Sequence, residues 1–274
     1  MEQMASTATP KPAYAPADAA EPASAVGAGS QTLMRGLDLI ECVAHEMQTL
    51  GELSQKLDLT KSTTHRLVSA LVDRGYLAFT PRSGYRLGPK LLELGFLAQA
   101  QADLIQVARP HLESLAASTE DTVHLGVLDG DHALYLDKMP GRRRINISSR
   151  VGDRQPLTST GLGKALMLDH PPAYWSERFE ADQAAGVPKA DSSIWHARMA
   201  EYVAEGRAFD LEENEDQIRC VAAPVRGAGG KIVGAISVSS AAQYMSNARM
   251  ATLSDEVRHA AQAISRDLGW VADT

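Results

Sequence analysis

Side chains suited to binding nucleic acid are concentrated in one short segment of this sequence. Five of them fall within six positions and carry hydroxyl, imidazole or basic groups: Lys61, Ser62, Thr63, His65 and Arg66. At the start of a helix that lies in the major groove, such groups bind base edges and phosphates. Arg82 and Arg86 follow in a polar segment, where they could bind phosphates beside the groove. These seven residues form the predicted DNA-binding set.

The charge around this set is opposite to that of the whole chain. Residues 61–90 contain six basic side chains and one acidic one, a local net charge of +5, whereas the 274-residue chain has a net charge of −7. A basic surface on an acidic protein favours DNA binding without general adhesion to polyanions. The alternative is a solvated basic face, because helix-turn-helix units also occur in proteins that never bind DNA.

The elements that would position these residues have the order of a winged helix-turn-helix. Thr49 and Glu52 have the spacing of a capping box, which starts a first helix. A second helix begins at Thr60 or Ser62, either of which can cap it. Two short strands then flank the turn Pro81–Gly84 and predict a hairpin, the wing.

A third helix is predicted upstream, where it would complete the core of this unit. Leu33, Leu37, Ile40 and Ala44 recur at helical spacing and form its packing face. Cys42 lies within the same helix and is predicted to be a small buried hydrophobe.

Downstream of the wing, Pro89 is suited to the first turn of a connecting helix. Leu91, Leu92, Leu94 and Leu97 make this helix unusually apolar for a connector. An exposed apolar helix between two domains favours pairing with its own copy. We therefore expect a dimer.

A sheet domain is predicted from residue 122 onward. Two alternating strands are joined by the turn Asp129–Asp131. They are preceded by a helix over Leu104–Ser118, which Pro110 is expected to kink or divide. Arg142–Arg144 follow as a loop that is solvated or that draws anions toward the domain.

A second candidate site begins within LTSTGLGKALM, residues 157–167. The segment is not a phosphate-binding P-loop, because Thr158 and Ala165 stand where that motif needs Gly and Ser or Thr. It remains a glycine-containing turn that opens a helix, and the free amides of such a turn favour a carboxylate as readily as a phosphate. Gly161 and Leu162 would supply those amides.

A strand near the C-terminus could form the floor of the same site. Its alternation places Ile232, Ile236 and Val238 on one face, and Ala235, Ser237 and Ser239 on the other. Cys220 lies on the predicted partner strand, and Asp210 precedes it at the head of an acidic run. A small hydroxylated face fits either a cavity floor or a solvent-facing sheet edge, and periodicity alone leaves both open.

Length and composition bound the possible classes of protein. A chain of 274 residues with 44% hydrophobic residues is long enough for two domains with their own cores. No apolar run reaches the length of a membrane span, and the first thirty residues lack the apolar block of a signal peptide. Cys42 and Cys220 are the only cysteines, so neither a disulfide framework nor a paired-cysteine zinc site is indicated. We expect a cytoplasmic protein that does not associate with membranes.

Four segments in this order resemble the IclR-type transcriptional regulators of bacteria. They are KSTTHRLVSALVDRGYL, YRLGPKLLELG, VGDRQPLTSTGLGKALM, and FDLEENEDQIRCVAAPV followed by GAISVSS. The resemblance runs from about Gln31 to about Trp270. Residues 1–30 before it are rich in Ala, Pro, Ser and Thr without periodicity and are expected to be a disordered tail. The resemblance implies an α+β protein with a winged helix-turn-helix domain at 31–88 (helix-turn-helix about 49–70), a linker helix at 89–103 and an effector-binding domain at 104–274. The last would be an antiparallel sheet flanked by helices.

The resemblance also implies a function and its partners. Members bind operator DNA, form homodimers and in some cases dimers of dimers, and respond to small carboxylic acids such as 2-keto acids, sugar acids or aromatic acids. The expected function is a ligand-responsive regulator, a repressor of a catabolic operon, with no cofactor and no catalytic residue. Carried over by motif, the effector pocket comprises Gly161, Leu162, Asp210, Cys220, Ser237 and Ser239. The hydroxylated run Thr158–Thr160 and the charged Arg142–Arg144 favour a hydroxylated acid over an aromatic one.

Two rival functions use residues of the same region. An enzyme could use Cys220 as a nucleophile with His124 or Asp210 assisting, but no spacing signals a base within reach of the thiol. A zinc site could use Cys220 and Asp210 with a histidine, but no paired-ligand spacing accompanies them. Both are expected to be wrong.

Overall fold

A computed structural model describes residues 28–144, 147–187 and 190–272, so residues 1–27 of the tail predicted at 1–30 lie outside the described residues. Residues 28–30 belong to a helix, contrary to that prediction. The chain divides into two compact units between Phe96 and Leu97. The first unit contains α1 (Ala28–Ala44), α2 (Leu50–Lys56), α3 (Lys61–Asp73), the antiparallel strands β1 (Leu77–Thr80) and β2 (Gly84–Leu87), and most of α4 (Pro89–Gln101). This is the element order of a winged helix-turn-helix.

Local capping determines where the helices of the first unit begin. The hydroxyl of Thr49 accepts from the amide of Glu52, and the Glu52 carboxylate accepts from the Thr49 amide, which completes the predicted capping box. Of the two candidates for the second cap, Thr60 is the one used, and its hydroxyl accepts from the Thr63 amide. Gly75 adopts a φ of 75°, which suits it to the residue after a helix.

The core of the first unit uses only part of the face predicted for α1, since Ile40 packs against this core as predicted. Leu39 and Val43 are buried against α2 and α3, together with Cys42, as predicted for that thiol. Leu33 and Leu37 instead remain 63% and 43% exposed. Apolar residues lie on several sides of this helix, so spacing alone could not identify the face that the other helices cover. The helix also begins at Ala28, three residues earlier than predicted.

The connecting helix α4 buries none of its side chains. Leu92 is 79% exposed and Phe96 is 72% exposed, and Leu94 and Leu97 are also exposed. The apolar character predicted for this helix is therefore presented at the surface of the chain.

The second unit contains a six-stranded antiparallel sheet with the order β5-β4-β3-β8-β7-β6. Its elements are α5 (Leu104–Thr119), β3 (Thr122–Asp129), β4 (His132–Met139), β5 (Arg154–Pro156), α6 (Gly161–Leu166), α7 (Pro172–Ala184), α8 (Ser192–Glu205), β6 (Ala208–Leu211), β7 (Ile218–Arg226), β8 (Ile232–Ala241) and α9 (Asn247–Asp267). Helices α5 and α9 pack on one face of the sheet, and α6, α7 and α8 pack on the other. The fold is α+β, as predicted.

Two predictions for this unit need correction. Helix α5 is continuous through Pro110 rather than divided, because Pro110 lies on its exposed side, where the carbonyl that loses its partner can bind water. Ile232 packs with Ala235 rather than with Ile236 and Val238. The pairing of β7 with β8 skips Val233, and this bulge moves Ile232 to the opposite face.

Candidate functional site

The start of α3 presents the residues that the sequence assigns to DNA. Lys61, Ser62, His65 and Arg66 are exposed, whereas Thr63 is half-buried. The hydroxyl of Thr63 accepts from the Thr60 hydroxyl at 2.9 Å, so part of its capacity is used in the cap. The hydroxyl of Ser62 also lies 3.2 Å from the Thr60 hydroxyl, so Lys61, His65 and Arg66 are the three exposed residues whose side chains take no part in the cap.

The wing places two arginines at the same unit's surface. Arg82, at the tip of the hairpin, has a left-handed backbone with a φ of 72°, and it is exposed, as is Arg86 on β2. The strand that begins at Gly84 lies against the loop before α2, where the Tyr85 amide donates to the Gln48 carbonyl at 2.8 Å. A Cβ on Gly84 would lie 2.2 Å from that carbonyl oxygen. Sequence reasoning treated Gly84 only as a turn residue.

The second unit contains a cavity of about 370 Å³. All six residues assigned to the effector line it: Gly161, Leu162, Asp210, Cys220, Ser237 and Ser239. They come from four separate elements, α6, β6, β7 and β8. Tertiary structure therefore brings together the whole set that the motifs suggested.

The floor of the cavity is made by neighbouring strands in register. β8 is an interior strand between β3 and β7, so Ser237 and Ser239 are 2% and 4% exposed and do not face solvent. Cys220 is the direct partner of Ser239, and Asp210 is the direct partner of Cys220. The Cys220 sulfur lies 3.0 Å from Ser239 Oγ and 3.9 Å from Asp210 Oδ2.

The first turn of α6 lies directly above this floor. Thr160 caps the helix by accepting from the Gly163 amide at 3.0 Å. A Cβ on Gly161 would lie 3.2 Å from the Asp210 nitrogen and 3.3 Å from the Cys220 Cβ, so the absence of a side chain allows this close approach. Backbone amides at a helix start carry partial positive charge and attract anions.

The acidic side of the cavity is stabilised by a buried cation. Burial raises the pKa of Asp210 to about 6, although the nearby Lys164 ammonium and the Glu213 amide lower it. The ammonium of Lys164 pairs with the Glu213 carboxylate and donates to the Phe209 carbonyl at 2.8 Å. Lys164 itself lies on α6 and is not among the lining residues.

Other lining residues were not in the predicted set: Tyr135, Ser148, Ser149, Gln155, Asn214 and Glu215. His124 also lines the cavity, although the sequence suggested it only as a base for an enzyme. Burial, followed by the charge of Lys138, lowers the pKa of His124 to about 3, so its ring is neutral at physiological pH. Strand alternation could have placed His124 on one face of β3, but not opposite Ser237.

Most residues of the two features that favoured a hydroxylated acid lie outside the cavity. Thr158 donates to Asp182 at 2.6 Å and Ser159 donates to Asn214 at 2.8 Å, so of the three hydroxylated residues only Thr160 lines the cavity. Among the arginines of the predicted loop, Arg143 is tied to the buried Asp121 by a 2.8 Å ion pair. These side chains bind neighbouring residues of the protein, as buried polar groups generally do.

The geometry around Cys220 does not fit an activated nucleophile. Burial and the Asp210 charge raise the pKa of the thiol, and its neighbours are a hydroxyl and a carboxylate rather than the imidazole of His124. Within the described ranges, no three His, Cys, Asp or Glu side chains are arranged to hold a metal ion. No helix in those ranges is long and apolar enough to cross a membrane.

Comparisons with known proteins identify both units. The family model described as the IclR helix-turn-helix domain matches residues 32–81. The model described as the bacterial transcriptional regulator IclR C-terminal domain matches residues 97–266, which is more than half of the chain.

Individual relatives extend over most of the chain. HTH-type transcriptional regulator XynR of Escherichia coli is 34% identical over 240 residues, which cover 86% of this chain and 95% of XynR. DNA-binding transcriptional repressor YiaJ of E. coli is 33% identical over 252 residues, 89% of each chain. The crystal structure of Agobacterium tumefaciens repressor BlcR has a TM-score of 0.76 at 25% identity and covers 88% of this chain and 98% of its own. These relatives are named as regulators and not as enzymes.

Proposed function

Because this chain belongs to the IclR family of bacterial transcriptional regulators, we propose that a small carboxylic acid controls its binding to operator DNA. The observation that carries this proposal is the cavity in the second unit. Six residues from four elements line it, and they combine helix-start amides with hydroxyl, thiol and carboxyl groups. Such a set is suited to one carboxylate.

The first unit would bind the operator. The exposed start of α3 offers Ser62, His65 and Arg66 to base edges in the major groove, with Lys61 and Thr63 beside them. Arg82 and Arg86 on the wing would bind phosphates. Phosphate contacts position the protein, whereas the α3 contacts determine the sequence that it prefers.

The second unit would bind a hydroxylated acid of the 2-keto or sugar type. The cavity volume of about 370 Å³ suits a small molecule, and the polar groups of Thr160, Gln155 and Asn214 extend the polar lining beyond the six predicted residues. A second candidate is an aromatic acid. The observation in its favour is the apolar part of the lining: Tyr135, Ile147, Pro156, Leu162, Val187 and Ile218.

Control requires that the acid bind two arrangements of the protein with different affinity, since equal affinity would shift nothing. In a homodimer these arrangements would differ in the distance between the two recognition helices. That distance must match DNA half-sites about one helical turn or a multiple apart. The exposed Leu92 and Phe96 of α4 support pairing of this helix with its copy, and a dimer of dimers is a further step of the same kind. Because YiaJ and BlcR are named as repressors, we propose repression of genes for catabolism of the acid.

Fluorescence anisotropy of labelled DNA from upstream of the protein's own gene tests this proposal. The titration is repeated at fixed salt with keto, sugar and aromatic acids, and unlabelled random DNA is the competitor, because non-specific binding depends steeply on salt. Saturable binding that one acid shifts and random DNA competes poorly is the expected result. Binding indifferent to both sequence and every acid would contradict the proposal.

A further inference from the structure

His124 connects two opposite sides of the cavity. Its Nε2 lies 2.7 Å from the hydroxyl of Ser149, on the loop that forms one wall. Its Nδ1 lies 3.5 Å from the hydroxyl of Ser239, on the floor. The ring is 1% exposed, and these two hydroxyls are its hydrogen-bond partners within the protein.

In a neutral imidazole the two ring nitrogens have opposite hydrogen-bonding roles. One ring nitrogen carries the hydrogen and donates, and the other accepts. A ligand carboxylate at Ser239 needs that hydroxyl to donate, which it can do while it accepts from Nδ1–H of His124. Nε2 then has no hydrogen and must accept from the hydroxyl of Ser149. The Cys220 sulfur beside Ser239 is a weak acceptor and competes poorly with an anion for the Ser239 hydrogen.

The tautomer of His124 also determines which hydrogen bonds Ser149 can make on the opposite side of the cavity. Once the hydrogen of Ser149 is directed at His124, the Ser149 oxygen offers only lone pairs to a ligand. We infer that His124 makes this cavity selective for a monocarboxylic acid with a distal hydroxyl group, and against a dicarboxylic acid of the same length. Ser149 accepts from the hydroxyl, whereas a second carboxylate would place acceptor against acceptor. His124 acts through the two serines and is therefore a positioning residue.

The charges of the cavity favour the same selection. The described lining residues include no lysine or arginine, and they include the acids Asp210 and Glu215. A second carboxylate would thus add a negative charge with no cation to pair with it. The nearby Lys138 is already engaged, because its ammonium donates to the carbonyls of Ile147 at 2.7 Å and Ser149 at 2.6 Å. These two bonds also fix Ser149 in place.

This inference rests on the proposed function and is tested by direct binding rather than by the DNA response. Titration calorimetry of the full chain uses three six-carbon acids: gluconate, glucarate, which has a second carboxylate, and hexanoate, which has no hydroxyl. Gluconate is expected to bind at least about tenfold more tightly than either of the others. Glucarate would leave its second carboxylate unpaired and hexanoate would leave Ser149 without a hydroxyl partner, and an unpaired buried polar group costs binding free energy.

Variants isolate the role of His124. His124→Phe keeps a ring against Tyr135, whose centroid lies 4.9 Å away, but frees both hydroxyls to donate, so the ratio of gluconate to glucarate affinity should fall toward one. His124→Gln retains one donor and one acceptor and should restore part of the ratio. His111→Phe is the matched control on α5, outside the cavity, where His111 pairs with Asp267, and it should leave the ratio unchanged.

Each other outcome has a distinct meaning. Equal binding of gluconate and glucarate, or an unchanged ratio in His124→Phe, would overturn the assignment of His124 and leave acid control of DNA binding intact. Failure of all three acids to bind would overturn the assignment, and failure of the whole acid panel in the anisotropy experiment would overturn the proposed function with it.

Discussion

The hydroxyl oxygen of Ser239 lies 3.0 Å from the sulfur of Cys220, because the two residues are direct partners in the antiparallel pair of β7 and β8. The same pairing places Asp210 next to Cys220 on the adjoining strand. Polar groups from three adjacent strands thus form one continuous floor. The register of the sheet therefore determines the geometry of the cavity floor.

Ser239→Val should weaken binding of the effector acid by about tenfold or more and leave DNA affinity unchanged. Valine has one more heavy atom than serine and cannot donate to a carboxylate, and the lost bond involves a charged group. Calorimetry with the acid identified in the anisotropy experiment gives the first quantity, and anisotropy without acid gives the second. Ser240→Ala is the matched control, because Ser240 donates to Asp121 rather than lining the cavity. An unchanged acid affinity in Ser239→Val would remove Ser239 from the site.

Arg66→Ala should weaken operator binding and leave acid affinity unchanged. If Arg66 contacts a base, the loss is about 1–3 kcal/mol and depends on the operator sequence; if it contacts a phosphate, the salt dependence of binding decreases by about one ion. Anisotropy at several salt concentrations separates these cases. Arg154→Ala removes the same charge from the second unit, where Arg154 pairs with Asp129, and should leave DNA affinity unchanged. Equal loss of DNA and acid binding in Arg66→Ala would indicate misfolding instead.

Asp210→Asn should stabilise the protein near pH 7.5 and have little effect near pH 4. Burial raises the folded-state pKa to about 6. The folded state therefore holds the proton more tightly than the unfolded chain, and stability falls as pH rises from about 4 to about 6. Above that window the ionised carboxylate costs about 3 kcal/mol, which Asn avoids while Oδ1 still accepts from the Glu213 amide.

Urea unfolding of wild type and Asp210→Asn at several pH values measures this difference. The gain in free energy of unfolding should grow between about pH 4 and pH 6 and then stay constant. A gain that is the same at all pH values, or a loss near pH 7.5, would contradict the raised pKa of Asp210.

Gly84→Ala should displace the wing and weaken DNA binding. The added Cβ would lie 2.2 Å from the Gln48 carbonyl oxygen, and the φ of 79° is unfavourable for alanine. Gly130→Ala is a matched control, since Gly130 has a similar φ of 62° but open space around its Cα. It should cost about 1 kcal/mol of stability from backbone strain alone and leave DNA affinity unchanged. Operator anisotropy and thermal unfolding compare the two variants.

Leu92→Glu should lower the stability of the proposed homodimer. Leu92 is 79% exposed in the single chain, so the charge does not disturb its own fold, whereas it would be buried if α4 pairs with a copy. Sedimentation velocity over a range of concentrations should give a smaller proportion of dimer than for wild type. Leu33→Glu, at a similarly exposed residue of α1, tests whether that helix also belongs to the interface. Unchanged sedimentation of both variants would place the dimer contact elsewhere.

Features with a local cause could be predicted from the sequence. The capping box of Thr49 and Glu52, the turn at Gly75 and the alternation of Ser237 and Ser239 depend on residues a few positions apart, and the structure reproduces them. The family resemblance added the six residues of the cavity, because their motifs occur in the same order along the chain. Local backbone preference and motif order were therefore sufficient for the fold class and for the predicted lining.

The remaining features depended on how distant segments pack. Spacing could not decide that Leu39 rather than Leu33 is buried, nor that a bulge beside Val233 turns Ile232 to the other face. His124 reaches its two serines only because β3 pairs with β8 and the loop at Ser149 folds back over β4. The register of a strand and the buried side of a helix depend on how residues from many segments pack in the core, so they cannot be predicted from one short segment. The sequence thus determined which residues could bind an acid, and the tertiary structure decided which of them face one another.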